Sequence, residues 1–172
     1  MILAKFAQTK ALFLDVDGVL TDGTVVVTEE GEQLRRFSIK DGYALQYAIK
    51  QGLIIVVISG AQSKGVLARL KGLGITEIYL GVADKLGLME DIMQRFSLKS
   101  NEVVFIGDDI PDLLCMKQAG IGVCPSDAVE EVKKIADYIS PKNGGEGCVR
   151  EVIEIILKLT DRWMSDSSIK SV

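Results

Sequence analysis

The residues able to do chemistry fall into short groups spread along the chain. Asp15 and Asp17 stand two apart in Asp15-Val-Asp-Gly-Val-Leu-Thr-Asp22. Ser59-Gly60 and Asp84-Lys85 follow, and Asp108, Asp109 and Asp112 crowd into Gly107-Asp-Asp-Ile-Pro-Asp112. Carboxylates gathered in one place raise one another's pKa unless a cation neutralises them. The chain has no histidine and only three scattered cysteines, Cys115, Cys124 and Cys148. That leaves oxygen ligands, which suit Mg²⁺; it takes one or two carboxylates and then substrate phosphate. Ser59, Lys85 and the amides around Gly18 and Gly60 are donors for such a phosphate. The chemistry this set supports is phosphoryl transfer. One carboxylate attacks phosphorus and becomes an aspartyl-phosphate. A second, two residues on, protonates the leaving alkoxide and then activates water. Phosphate monoesters hydrolyse so slowly unaided that enzymes reach accelerations of up to ~10²¹, which calls for concentrated positive charge at the phosphoryl oxygens.

Each group alone has a plainer reading. Asp-x-Asp-Gly is a common turn, Ser-Gly starts a loop, Gly-Asp-Asp can cap a helix, and a lone lysine is usually solvated. Their placement gives them weight. Ala11–Asp15 and Leu53–Ile58 read as apolar strands, as do Glu77–Leu80 and Val103–Ile106; Ile121–Cys124 and Tyr138–Ile139 read as shorter ones. Continuous β-branched runs are expected of strands covered on both faces. Between them lie apolar residues at helical spacing: Tyr43–Ile49, Val66–Leu70, Leu86–Phe96 and Val149–Leu159. Alternating strand and helix predicts an α/β, Rossmann-like, doubly wound parallel sheet. Such sheets bind ligands beyond the carboxyl ends of their strands, where all four groups stand. One segment breaks the alternation. Thr24–Thr28 and Gln33–Phe37 flank Glu29-Glu-Gly-Glu32, the pattern of a β-hairpin inserted after the first strand, at about 24–37.

The length of 172 residues fits one domain, expected over 1–164, with a polar, disordered tail over 165–172. The hydrophobic fraction of 48% is that of a globular protein, and the formal charge of −4 argues against a nucleic-acid partner. Absent histidine excludes Ser-His-Asp and Cys-His hydrolysis and histidine-bound zinc. The apolar runs are too short for a membrane helix, and no signal-peptide pattern opens the chain, so a cytoplasmic protein without a membrane partner is expected.

The four groups resemble the four motifs of the haloacid dehalogenase superfamily of phosphatases. The resemblance implies roles. Asp15 is the nucleophile and a metal ligand. Asp17 is the acid/base and gives its backbone carbonyl to Mg²⁺. Ser59, Gly60 and Lys85 hold the phosphoryl group. Asp108 binds the metal, with Asp109 and Asp112 behind it. Within the superfamily, residues 8–160 are similar to the capless family of 3-deoxy-D-manno-octulosonate 8-phosphate phosphatases, on the hairpin, on Lys40-Asp41-Gly42-Tyr43 and on Gly144-Gly-Glu-Gly-Cys-Val-Arg150. The short connection from Asp15 to the hairpin leaves no room for a cap domain. The resemblance implies a homotetramer, with hairpins associated and active sites near subunit interfaces. It also implies a small sugar-acid phosphate as substrate, with Arg35, Lys40, Asp41, Arg69 and Arg150 as candidate substrate-binding residues. The glycine-rich 142–147 segment and Arg150 are expected to reach a neighbour's active site. Many members carry arginine where this chain has Ala61-Gln62 and Glu146, so a related nonulosonate 9-phosphate is the second substrate candidate. A receiver-type phospho-aspartate switch shares the acids and the lysine. Its phosphorylated aspartate would follow the third strand, where Leu80-Gly81 stands here.

Overall fold

The computed structural model describes residues 1–164, and the tail expected to be disordered lies outside the described residues. In chain order the elements are α1 (Ile2–Phe6), β1 (Ala11–Leu14), β2 (Val26–Val27), β3 (Gln33–Leu34), α2 (Ile39–Lys50), β4 (Ile54–Ser59), α3 (Lys64–Gly72), β5 (Glu77–Leu80), α4 (Lys85–Arg95), β6 (Val103–Ile106), α5 (Leu113–Gln118), β7 (Ile121–Cys124), α6 (Glu130–Lys133), β8 (Tyr138–Ile139) and α7 (Cys148–Lys158). A six-stranded parallel sheet has the order β5-β4-β1-β6-β7-β8. The chain leaves β5 at one edge and resumes at β6 on the far side of β1. That reversal puts the ends of β1 and β6 side by side at the switch point.

Alternation along each strand divides the core in two. Leu12, Leu14, Val57 and Ile106 face one layer, with α2, α3 and α7. Ala11, Phe13, Ile58 and Phe105 face the other, with Met89, Ile92 and Met116 of α4 and α5. Every residue of β1 and β6 is buried, and each large apolar side chain so placed contributes about 1.5–3 kcal/mol. The doubly wound sheet expected from the strand–helix rhythm is the one observed.

Three helices were not legible in that rhythm: α1, α5 and α6, the longest of them six residues. Helices so short are marginal alone and form through tertiary contacts. Phe6 of α1, for instance, is fully buried and meets the Tyr138 ring edge-on at 5.6 Å. The hairpin exists but is shorter than expected. Only Val26–Val27 and Gln33–Leu34 pair as strands, with an isolated bridge between Thr21 and Phe37. Val26 and Val27 are 66% and 61% exposed, so nothing among the described residues covers them to extend the ladder.

The start of α7 is held from outside the helix. Its N-cap, Gly147, has no side chain to offer. Asp41 of α2 instead accepts from the Gly147 amide at 3.2 Å and the Arg150 amide at 2.8 Å. A carboxylate suits the positive end of a helix. Asp41 is 1% exposed, and both its oxygens are engaged in joining α2 to α7. This corrects its expected place among substrate-binding residues: it is a structural cap. Burial raises its pKa, opposed by the two amides. Asp41→Ala should destabilise the fold by about 1–3 kcal/mol, the cost of stranding buried amide donors, measured by urea denaturation. Asp41→Asn, which keeps one acceptor oxygen, should lose less.

Candidate active site

The carboxyl ends of β1, β4 and β6 frame a cavity of about 260 Å³ whose lining includes Asp15, Asp17, Ser59, Lys85, Asp108 and Asp109. Lys85 opens α4, placed by Asp84, which accepts from the Gly87 amide at 2.9 Å as the helix cap. The Lys85 ammonium donates to Asp15 Oδ1 at 2.9 Å and to Asp112 Oδ1 at 2.8 Å, with its side chain only 8% exposed. The other oxygen of Asp112 accepts from the Asp108 amide at 3.1 Å. Asp112 thus has a partner on each oxygen and forms part of the cavity wall at 1% exposure. Asp15, Asp17, Asp108 and Asp109 also line the cavity. Ser59 Oγ accepts from the Ala61 amide at 3.2 Å, which leaves the hydroxyl hydrogen to donate. Asp109 is exposed and accepts from the Ile110 amide at 2.7 Å.

The electrostatics are those of too many acids for one lysine. Burial pushes Asp15 up to about 6, with Asp112 adding to it and Lys85 opposing. Burial also pushes Asp108 up to about 8, helped by Asp15, Asp112 and Asp109. For Lys85, burial works against the charge, but Asp15 and Asp112 outweigh it and the pKa is raised. Oxygens of Asp15, Asp108 and Asp112 lie within 4.8 Å of one another, and Asp108 Oδ1 is buried without a hydrogen-bond partner. An orphaned carboxylate oxygen in an all-oxygen set is what a hard divalent cation satisfies. Gly18 makes room: a Cβ there would lie 1.9 Å from Asp108 Oδ2, and its φ is +83°.

Two supports were not foreseen from the sequence. Thr21 is fully buried, and its Oγ1 accepts from the Gly18 and Gly23 amides, each at 3.3 Å, which folds the loop after Asp17. Its position inside the first motif was the available signal. Gly144 packs onto the same loop, where a Cβ would meet Gly18 O at 1.9 Å, and its amide donates to Asp127 at 2.9 Å. The 142–147 segment is thus tied to its own chain by these contacts. It buttresses the loop that follows the Asp15/Asp17 pair in its own chain, because only glycine allows so close a backbone approach.

The expected substrate-binding residues divide. Arg35 reaches the site: its Nε and Nη2 donate to Asp17 at 2.6 and 3.1 Å. Arg69 lines a second cavity together with Arg35. Lys40 is exposed near the start of α2 and lines neither cavity. Arg150 lines neither of these two cavities. Its Nε pairs with Glu154 one turn along α7 at 2.7 Å, and its guanidinium lies over the Trp163 ring at 5.6 Å. That local partner was the plainer reading of an arginine in a helix.

The raised acids set a pH test. Asp15 and Asp108 keep protons in the folded, metal-free protein at pH values where the unfolded chain, with aspartates near 3.8, has lost them. Stability conferred by those protons is present at low pH and lost as pH rises through about 6 and about 8. The metal-free melting temperature should therefore fall between about pH 5 and pH 9. Added Mg²⁺ should restore it most at the alkaline end. Asp108→Asn should flatten the fall and remove the Mg²⁺ response, as read by scanning calorimetry.

Comparison with known proteins places this geometry. Residues 71–153 match the haloacid dehalogenase-like hydrolase family. The 3-deoxy-D-manno-octulosonate 8-phosphate phosphatase KdsC of Escherichia coli K12 is 35% identical over 156 residues, 91% of this chain and 83% of that protein. The crystal structure of the Yersinia pestis phosphatase of the same name superposes with a TM-score of 0.94 at 32% identity, covering 99% of this chain and 92% of that one. The Moraxella catarrhalis phosphatase, solved with a magnesium ion, a phosphate ion and a KDO molecule, superposes with a TM-score of 0.88 at 37% identity, covering 92% and 91%. A motif set at the ends of successive parallel strands, a sheet that superposes throughout and identity along nine-tenths of the chain agree: the chain belongs to the 3-deoxy-D-manno-octulosonate 8-phosphate phosphatase family of the haloacid dehalogenase-like hydrolases.

Proposed function

We propose that this protein is a Mg²⁺-dependent phosphatase that hydrolyses 3-deoxy-D-manno-octulosonate 8-phosphate to the free sugar acid and phosphate, a step of lipopolysaccharide synthesis. The observation that carries the chemistry is the Asp15–Lys85–Asp112 bridge beside the orphaned Asp108 oxygen. The substrate is carried over from relatives that share most of the chain.

Asp15, Asp108 and the Asp17 backbone carbonyl would hold Mg²⁺, with Asp109 and Asp112 behind them. Bound there, the ion supplies positive charge to the phosphoryl oxygens. Lys85 and the Ser59 hydroxyl, with the Gly60 amide, orient the remaining oxygens. Lys85 holds one oxygen of Asp15 and so aims the other at phosphorus. Attack by that oxygen breaks the bond to the sugar oxygen, which takes a proton from the Asp17 carboxyl. The same Asp17, now a carboxylate, removes a proton from water, whose oxygen displaces Asp15 and releases phosphate.

The assembly follows from the exposed face. Val25, Val26, Val27, Leu34 and Ile39 are 44%, 66%, 61%, 52% and 70% exposed on or beside the hairpin. Apolar strands left open in this way favour pairing with other chains. This exposure supports reading the hairpins as meeting between copies, in the tetramer that the family resemblance implies, with active sites near its interfaces. The same reading places the enzyme in the cytoplasm; its three cysteines are free and buried. No helix among the described residues is long and apolar enough to cross a membrane.

Phosphate release from a panel of sugar phosphates tests the function. Octulosonate 8-phosphate should exceed nonulosonate 9-phosphates and neutral hexose phosphates in kcat/KM, and chelation should abolish the activity until Mg²⁺ is returned. Asp15→Asn should reduce turnover by about 10⁴-fold or more with the fold kept. Turnover unaffected by Asp15→Asn overturns the mechanism, and preference for another phosphate overturns the substrate. For the assembly, light scattering should give a tetramer, with Val26→Lys shifting it toward smaller species; an active monomer contradicts it.

A further inference from the structure

Arg35 makes the contact in this molecule that the proposed chemistry least explains. It follows β3 in a hairpin whose neighbouring residues are exposed, yet its own side chain is only 5% exposed. Its guanidinium takes both oxygens of Asp17, at 2.6 and 3.1 Å. This fork-to-carboxylate geometry is the strongest an arginine makes. A carboxyl group with both oxygens turned to one guanidinium presents no hydrogen to a leaving sugar oxygen. Asp17 must turn away from Arg35 before it can act. If it turned away with nothing in its place, a guanidinium with a side chain only 5% exposed would keep just its long contact from Nη1 to the Gln33 carbonyl oxygen, at 3.5 Å, and would lack a counter-charge, which is costly. Arg35 therefore needs another anion when Asp17 departs.

The structure provides a place for one. A cavity of about 700 Å³ lies between the hairpin and the start of α3, lined by residues that include Arg35, Gln62, Ser63, Lys64 and Arg69. Three of the lining residues are cationic, and Glu32 is the acidic one. The nine-residue α3 begins on this cavity, with its first turn capped by Ser63, and adds the positive end of its dipole. Arg35 lines this cavity and Asp17 does not, so an anion held there has access to the guanidinium. Asp17 is read as giving the metal only its backbone carbonyl, so its side chain is free to turn.

We propose that Arg35 exchanges one carboxylate for another: the acid end of the substrate replaces Asp17 on the guanidinium, and this releases Asp17 to serve the leaving oxygen. The inference rests on the reading of the protein as an acid-sugar phosphatase and adds the device by which it senses the acid. A neutral sugar phosphate has nothing to exchange, so it leaves Asp17 held by Arg35 and turns over slowly even when its phosphate is well bound.

The test compares two primary phosphate esters on the Mg²⁺-loaded enzyme, octulosonate 8-phosphate and a neutral hexose 6-phosphate. Arg35→Gln should lower kcat/KM for the acid sugar about ten- to a hundredfold, the worth of a charged hydrogen bond. It should raise kcat/KM for the hexose phosphate about two- to tenfold, because Asp17 is no longer held. Arg35→Lys, a point charge without the fork, should recover part of the first loss. A crystal structure with the free sugar acid and phosphate should show Arg35 on the sugar carboxylate and Asp17 turned from it. A loss on both substrates, an unchanged hexose phosphate rate, or Arg35 still on Asp17 in the liganded structure overturns the exchange alone. A wild-type enzyme that hydrolyses p-nitrophenyl phosphate but no acid sugar phosphate overturns the substrate reading, and the exchange with it.

Discussion

Lys85 sits between Asp15 and Asp112, at 2.9 and 2.8 Å, where little water reaches. One ammonium there faces the demand of three carboxylates, since Asp108 lies in the same cluster. Buried ion pairs of this kind stabilise a fold little, because desolvation offsets attraction. The arrangement needs the rest of the molecule to impose it. β1, β6 and the capped start of α4 are all anchored in the two cores, so their ends cannot move apart to relieve the crowding. The strain that follows is a demand for positive charge, part of which Lys85 meets and the rest of which suits a divalent ion. Stability and function therefore pull in opposite directions at this one point.

The loop after Asp17 is the second point of dependence. It runs on from Asp17 and has no helix of its own. Thr21 folds it from within, and Gly144 packs against it from the far end of the chain. Asp41 in turn fixes the start of α7, a few residues past that glycine. The segment before the last helix thus helps to support the loop after Asp15 and Asp17. Contacts widely separated in sequence hold a site whose first two acids stand two apart.

The hairpin has two faces with different work. Its valines are exposed, while Arg35 turns inward to Asp17. Whatever seats the hairpin also seats Arg35, so the exposed apolar face and the hold on Asp17 share one element. A capless fold has little else above the leaving group, which gives this small insertion more influence than its size suggests.

The sequence by itself determined the strand order of chemistry. Apolar runs ending in Asp15, Ser59 and Asp108 are legible because a parallel strand covered on both faces has a continuous apolar signature, and its polar successor must lie at the sheet's ligand-binding edge. The helical rhythm of α2, α3, α4 and α7 was legible for the same local reason, while α1, α5 and α6 were too short to carry a period. What only the tertiary structure decided was pairing. Asp41 and Arg35 both read as polar residues near the site, yet one caps a helix 106 residues away and the other holds Asp17. Arg150 read as a candidate for substrate, yet it pairs with Glu154. A charged side chain has several eligible partners in sequence, and the distances that choose among them exist only after the sheet has closed on its helices.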